Sequence, residues 1–558
     1  MSNYINSVKQ LKLLLVSKVT FFILTTSVIL ALNLTPLILQ YKHAPPGRTF
    51  NLIHNNVQDF YFYQSLMNEG AGGAWLTSNP YTSEPHPPTV IFSYFVWLGY
   101  LSKLLGLSFA LTYHLLRITF SLVFFIAVFK LIFFLKTPYP RLAYFFFLFA
   151  APVMHKIPDG AKFVTVPYMY WWTAVDPIRR AAYLPHHMLA GILLIVTVIM
   201  LLSFIKNRKP YLIILAILLS LPLALVHPPS ILILLITLPS SGVVYLLQNF
   251  KKVTGSFLKP HYQMFLYLLL FWVINIILVF IIASQGNSSL IWSKLFNWEK
   301  GQQFPLIQEL PFAFGILLPL ALLGVLKALS NYKYKDTFLV SWFLFPLLSI
   351  PFAPQIGISN VRLIQGVPYL PLSILAVLGI DFFAKQYEIF ADRIRIKFHT
   401  RAKITGFFLI LFIIFTYPTL SWSVKSQIQE YWPIFGNVYL DNRLNNVFTY
   451  INNNFPDKTV VLSTFYTGNY LPAFTHTTSF IGHDGYTYNM EDKRKLTDKF
   501  FAGQMTTEEV KNLIKNNNIT LIFQGPEEKP IYSKYLYPNI IQPIYDQNDF
   551  TLYVLKLP

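Results

Sequence analysis

Long apolar runs decide what this chain can fold into. Between residues 19 and 422 they recur with lengths near the roughly 20 residues that a helix needs to cross hydrocarbon. A transmembrane barrel would instead show alternating segments of about ten residues. Of the 558 residues, 54% are hydrophobic and only 12% are charged, against roughly 25% charged in a soluble globular protein. The expectation is a polytopic α-helical membrane protein with about eleven transmembrane helices, followed by a C-terminal extracytoplasmic α/β domain.

The formal charge is +20. In a soluble protein that excess would point to nucleic acid. Here the basic residues cluster in short loops between the runs, so the reading is topological and no nucleic-acid partner is expected. Lys9, Lys12 and Lys18 precede the first run, 19–39, and put the N-terminus on the cytoplasmic side. The first run exceeds a usual signal h-region and reads as an anchor. The other runs are 110–135, 142–154, 188–205, 211–226, 231–247, 264–283, 311–326, 337–352, 363–383 and 404–422. The inner loops carry Lys136 and Arg141, then Lys206, Arg208 and Lys209, then Lys251 and Lys252, then Lys327, Lys333 and Lys335. The last of them holds Lys385, Arg393, Arg395, Lys397, Arg401 and Lys403. This alternation predicts a multi-pass protein of the cell (plasma) membrane with its C-terminal part outside. The segment 89–105 contains Lys103 and follows Pro87–Pro88, so it reads as a helix lying at the interface. There is no Cys, which excludes disulfides and thiol catalysis.

Residues 1–424 form the expected transmembrane domain, with its first outer loop at 41–89, and residues 425–558 the soluble one. In the latter, 443–454, 491–502 and 506–516 read as helices, the last capped by Thr507. Residues 459–463, 479–481, 519–523, 540–545 and 550–555 read as strands.

Ionisable residues in or against a bilayer are costly and are functional candidates by default. The 41–89 loop is too rich in Phe, Tyr and Trp for a solvated linker, and it holds Asp59, Glu69, Glu84 and His86. Asp59 can accept the proton of an attacking hydroxyl; its alternatives are a helix cap or a partner for an outer Arg. Glu69, in Asn68–Glu69–Gly70, reads as a turn residue. Glu84 and His86, in SEPHPP, either line the pocket or serve a Pro-rich turn. Cations are not expected outside, yet Lys156, Lys162, Arg179, Arg180 and Arg362 fall there. Arginines of this kind suit a phosphate held bidentately, or an interfacial anchor. His186, His187 and His227 meet the same side; their spacing matches no strong metal motif, so hydrogen bonding to substrate is the favoured role. His483, in the 482–487 loop, either touches ligand or shapes a turn. No P-loop, Gly-x-Ser-x-Gly or zinc-protease motif occurs. No cofactor or metal ligand is assigned.

The layout resembles the GT-C glycosyltransferases, the integral-membrane enzymes that include protein mannosyltransferases and aminoarabinose lipid A transferases. The matching pieces are Asp59 after the first run, His86–Pro87–Pro88, the 89–105 helix and Arg117. The tail, through VVLSTFYTGNYLPAFT (460–475), FIGHDGYTYN (480–489), DKFF (498–501) and ITLIFQGPEE (519–528), resembles the outer domain of prokaryotic members. The resemblance implies a sugar donor on a polyprenyl phosphate, inverting transfer at the outer face to a glycan, lipid or protein acceptor, and Asp59 as general base. Many relatives carry a second acidic residue beside the first; here the neighbours are Gln58 and Phe60.

Two other classes compete with this reading. A polysaccharide polymerase or ligase also uses lipid-linked sugars. A multi-pass transporter would place polar groups near mid-span and break and repeat its helices, whereas these runs are mostly Leu, Ile and Phe with polar groups crowded at the ends.

Overall fold

The apolar runs are largely helical in the computed structural model, which describes residues 17–250, 262–393, 401–430, 437–529 and 535–556. Lys9, Lys12, Lys251, Lys252, Arg395 and Lys397 lie outside the described residues. Among those residues, six helices are long and apolar enough to cross a membrane. They are Lys18–Lys42, Phe109–Phe134, Pro185–Asn207, Pro228–Gln248, Tyr262–Ser284 and Arg401–Glu430. A seventh results if the pair Leu306–Ala313 and Leu317–Ser330, bent by 92°, is one span. The 311–326 run is therefore not the straight helix its composition predicts. The run 142–154 is helical only in part, since Pro140–Phe149 ends early and Met154 begins a strand. Shorter or less uniform helices lie in the other runs: Pro210–Val226, Tyr334–Leu348 and Tyr369–Arg393. The last begins later than expected, because Asn360–Ile364 is a separate 3-10 turn. Four of these helices open on Pro, at residues 140, 185, 210 and 228, where the missing N–H costs nothing and the ring sets a helical φ.

The chain divides into two compact units. The first comprises Met1–Pro36, Leu116–Ile281 and Lys300–Gln427. Its interior is apolar but contains Arg117, fully buried. The guanidinium donates to Asn33 Oδ1 at 2.8 Å and to the Ala182 carbonyl, while Asn33 Nδ2 donates to the Ile178 carbonyl. Such pairing lets a charge stay in a low-dielectric interior. The loop 155–187 holds an unforeseen hairpin, Met154–Asp159 with Lys162–Pro167, in which Gly160–Ala161, with Gly160 at φ 59°, is the two-residue turn.

The second unit comprises Leu37–Leu115, Ile282–Glu299 and Ile428–Pro558. The first loop and the C-terminal segment thus share one body. Arg48–Phe50 pairs antiparallel with Tyr439–Asp441. Ser479 N donates to the Pro80 carbonyl, Tyr81 Oη to that of Asn469, and Asn79 Nδ2 to that of Tyr486. The five-stranded sheet runs in the order Thr478–Ser479, Val460–Leu462, Ile519–Gln524, Phe550–Leu555, Ile541–Gln547. Its first three strands are parallel and the last two antiparallel. Parallel neighbours need crossovers, which the helices Phe465–Phe474, Met490–Phe501 and Thr507–Asn516 supply. Leu462, Phe480, Phe500, Val510 and Ile522 form part of its core.

Two local expectations change, and one helix is unforeseen. Thr506, not Thr507, caps the last helix, in a reciprocal capping box with Glu509. Phe465–Phe474 is helical despite Pro472. Glu69 lies in the last turns of the helix Val57–Ala71 rather than in a turn of its own. Gly70 follows it because that helix packs backbone to backbone on the helix Ser93–Leu105. A Cβ on Gly70 would collide with the Val96 carbonyl, and one on Gly99 with that of Met67.

Candidate active site

Asp59 sits in the first turn of the Val57–Ala71 helix. Asn56 caps that turn, its Oδ1 accepting from Gln58 N at 2.8 Å and Asp59 N at 3.2 Å. The cap is thus Asn56, and the Asp59 carboxylate is left for other work. The approach to the cap is strained: Leu52 and Asn55 hold φ values of 55° and 65°, a region that a branched side chain such as Leu rarely occupies. His114 Nε2 donates to the Leu52 carbonyl at 2.8 Å, and His54 Nδ1 meets Tyr113 Oη at 2.9 Å. Buried side chains therefore hold the strained segment that sets where the helix starts.

Across the same unit lies the loop 482–487. His483 Nε2 stands 3.3 Å from Asp59 Oδ1. The imidazole is nearly buried and the carboxylate is 38% exposed, so one carboxylate face meets protein and the other remains open. His483 Nδ1 accepts from Gly485 N at 3.1 Å. The loop is closed by Thr487, whose Oγ1 accepts from Gly482 N and His483 N and whose N–H donates to the His483 carbonyl. It is tied to Asp59's neighbour by a reciprocal pair: Gln58 Nε2 donates to Asp484 Oδ2 at 2.9 Å, and Asp484 N donates to Gln58 Oε1 at 3.1 Å. Tyr486 stacks on Phe62 at 4.0 Å and packs edge-on against His483 at 4.4 Å.

Glu84 and His86 are engaged within this unit. Glu84 pairs with Lys493 Nζ at 2.8 Å and accepts from the Thr82 hydroxyl. Burial alone would push the Glu84 carboxyl up, but the Lys493 ammonium and these hydrogen bonds hold it below its ordinary value. Lys493, nearly buried, also lies over the Phe480 ring. His86 Nε2 accepts from Asn79 N at 2.8 Å, and Nδ1 faces the Glu84 carbonyl at 2.8 Å. Both side chains hold the SEPHPP loop in shape. Glu69 is pushed up to about 7 by burial, offset in part by the Ser78 N–H and by Lys458.

The remaining predicted residues belong to the first unit. Asp176 caps the short helix Pro177–Ala181, accepting from Ile178 N, Arg179 N and the Ser423 hydroxyl. Arg179 Nε lies 4.0 Å from Asp176 Oδ2. Arg180 donates to the carbonyls of Val175, Phe147 and Ala150, and stacks 3.9 Å over the Tyr369 ring. Three carbonyl bonds mark it as a brace for the 175–180 turn. His186, His187 and His227 do come together: ring centroids are 4.5 Å apart for His186–His187 and 4.3 Å for His187–His227. His227 Nδ1 meets Ser230 Oγ at 2.8 Å, and Arg362 donates to Gln365 Oε1 at 3.1 Å. A cavity in this unit is lined by Arg180, His187, Gln365 and Tyr369 among aromatic rings. Among the described residues, no group of three or more His, Asp or Glu is placed to hold a metal ion.

The pairings of the predicted residues went unseen in the sequence. Asp59 and His483 are 424 positions apart, and Lys493 reads as one more charge on an amphipathic helix. Only the polar loop Gly482–His483–Asp484–Gly485 carries a local signal.

The sequence matches no protein-family model and none of the curated proteins. The fold does have solved counterparts. It is similar to the oligosaccharyltransferase of Archaeoglobus fulgidus tethered with an acceptor peptide, with a TM-score of 0.52 and 12% identity over 97% of this chain and 74% of that one. The archaeal oligosaccharyltransferase AglB from the same organism, in complex with an inhibitory peptide and a dolichol-phosphate, matches with a TM-score of 0.50 and 13% identity. That match covers 91% of this chain and 69% of that one. ArnT from Cupriavidus metallidurans, bound to undecaprenyl phosphate, is a looser match, at a TM-score of 0.47 and 12% identity over 96% and 98% of the two chains. At these identities the likeness is one of fold alone.

Proposed function

We propose that this protein is a membrane glycosyltransferase that moves a sugar from a polyprenyl-phosphate donor to an acceptor hydroxyl at the outer face of the membrane. The observation that carries the reading is a half-exposed carboxylate, Asp59, fixed by a helix start and a buried imidazole within a GT-C-like fold. Asp59 acts as general base. It takes the proton of the acceptor as the acceptor atom bonds to the anomeric carbon. The bond from that carbon to the phosphate oxygen breaks, the lipid phosphate leaves with the electron pair, and the configuration inverts. General-base help of this kind is worth on the order of a hundredfold to ten-thousandfold.

Glu84 and His86, in the same unit as Asp59, shape its surroundings rather than contact substrate, because their polar atoms are already engaged. Eleven crossings with the N-terminus inside and residues 425–558 outside complete the proposal, and the positive-inside distribution of Lys and Arg supports it.

The test is incubation of the purified protein with a panel of polyprenyl-phosphate sugars, reading released lipid phosphate. Release dependent on one donor supports the proposal. No release from any donor, with labelled solute instead crossing sealed vesicles, overturns it in favour of transport.

A further inference from the structure

The Asp59 carboxylate has two oxygens, and the structure treats them differently. Oδ1 faces His483 Nε2 at 3.3 Å. Among the described residues no hydrogen bond reaches Oδ2. On the far side of the imidazole, Nδ1 receives the Gly485 N–H at 3.1 Å. A ring nitrogen that accepts cannot also carry a proton, so the proton of this imidazole resides on Nε2 and points at Asp59. The tautomer is thus set by a backbone amide, not by solvent.

The ring is also fixed in orientation. Tyr486, Phe62 and Tyr81 pack around it at centroid distances of 4.4, 5.9 and 5.7 Å. Thr487 ties the loop to itself, and the Gln58–Asp484 pair ties it to the helix turn that bears Asp59. An ordinary turn beside an exposed acid would need none of these ties.

We infer that His483 is a positioning residue for the base: a fixed Nε2–H donor that occupies Asp59 Oδ1 and so reserves Oδ2 for the acceptor's proton. The inference rests on Asp59 being the base. His483 touches neither substrate in this scheme. It does not relay the proton, because its Nδ1 is already committed to Gly485. The C-terminal segment then supplies half of the catalytic geometry, through a residue far from Asp59 in sequence.

Two substitutions separate this role from mere packing. In His483→Asn the amide oxygen can still accept from Gly485 N, but the side chain is too short to reach Asp59. In His483→Gln the terminal amide N–H sits near the place of Nε2 and can still donate to Asp59. We expect His483→Asn to keep its melting temperature and its donor KM while kcat falls about tenfold to a hundredfold, as expected when a reacting group is misplaced by about 1 Å. We expect His483→Gln to recover most of that loss. Equal kcat in both variants and the native protein, or an equal fall in both, overturns the positioning role. If either variant melts early, the comparison is repeated below its transition, where the ratio of the two kcat values separates the same outcomes. Asp59→Asn, measured alongside, keeps the two claims apart. An inactive Asp59→Asn with a fully active His483→Asn removes only His483 from the scheme, whereas an active Asp59→Asn removes the base itself.

Discussion

Lys493 shows how a charge can be buried without being catalytic. Its side chain is 5% exposed and its acidic partner, Glu84, is 30% exposed. Replacing Glu84 by Gln leaves the ammonium with the Ser83 hydroxyl and the Phe480 ring. Because Glu84 is partly solvated, the cost is below that of a fully buried pair, about 1–2 kcal/mol. Glu84→Gln should therefore lower the melting temperature by a few degrees at pH 7, and less at acid pH. The folded carboxyl lies below its unfolded value, so its contribution is present above the unfolded pKa and is lost as pH falls through the folded one. Glu69 behaves in the opposite sense. Burial lifts it to about 7, so between its unfolded value and 7 the folded chain holds a proton that the unfolded chain has lost. Stability then falls as pH rises through that window, by on the order of 2–3 kcal/mol. Denaturant midpoints of Glu69→Gln and the native protein should differ more at pH 8 than at pH 5, with the variant the more stable; a constant difference would contradict the assignment.

Helices and strands carry the next level. The helix that bears Asp59 is located by its backbone contact with the Ser93–Leu105 helix at Gly70 and Gly99. A methyl at Gly99 would have to push two backbones apart, and overpacking of this kind costs about 1–3 kcal/mol. Gly99→Ala should lower both the melting temperature and kcat, because Asp59 moves with its helix; calorimetry with turnover at 25 °C checks both. Much of this level was legible in advance. The apolar runs became helices because hydrocarbon offers no water to their backbone N–H and C=O groups, which must then bond within the segment. The C-terminal strands and helices appeared close to their predicted bounds, since alternation and caps are local signals. What escaped were features set by tertiary partners. Tyr439–Asp441 is a strand only because Arg48–Phe50 lies beside it. Phe465–Phe474 is a helix although it contains Pro472. The 92° break in the 306–330 pair falls at Gly315, at φ 57°, a lone Gly whose signal the surrounding apolar run masked. At the candidate site the sequence singled out Asp59 and His483 separately, as a polar residue in an aromatic loop and a His in a Gly-rich turn. Their hydrogen bond spans 424 positions and could not be read from spacing.

For the molecule as a whole, the matter to test is orientation, and the absence of Cys makes it easy to approach. Single cysteines can be introduced without background. Asn516→Cys, in the C-terminal segment, should react with a membrane-impermeant maleimide in intact cells. Lys206→Cys, beside a basic loop, should react only after the membrane is opened. The reverse pattern would place the C-terminal segment inside and would rule out a reaction at the outer face.

The proposed reaction turns on one carboxylate taking the acceptor's proton. Asp59→Asn preserves shape and the hydrogen bond from His483 while removing the proton acceptor. In a single-turnover assay with the donor that the native protein uses, the mechanism requires an unchanged melting temperature and a transfer rate lower by at least about a hundredfold. Transfer at the native rate by a folded Asp59→Asn protein would refute it.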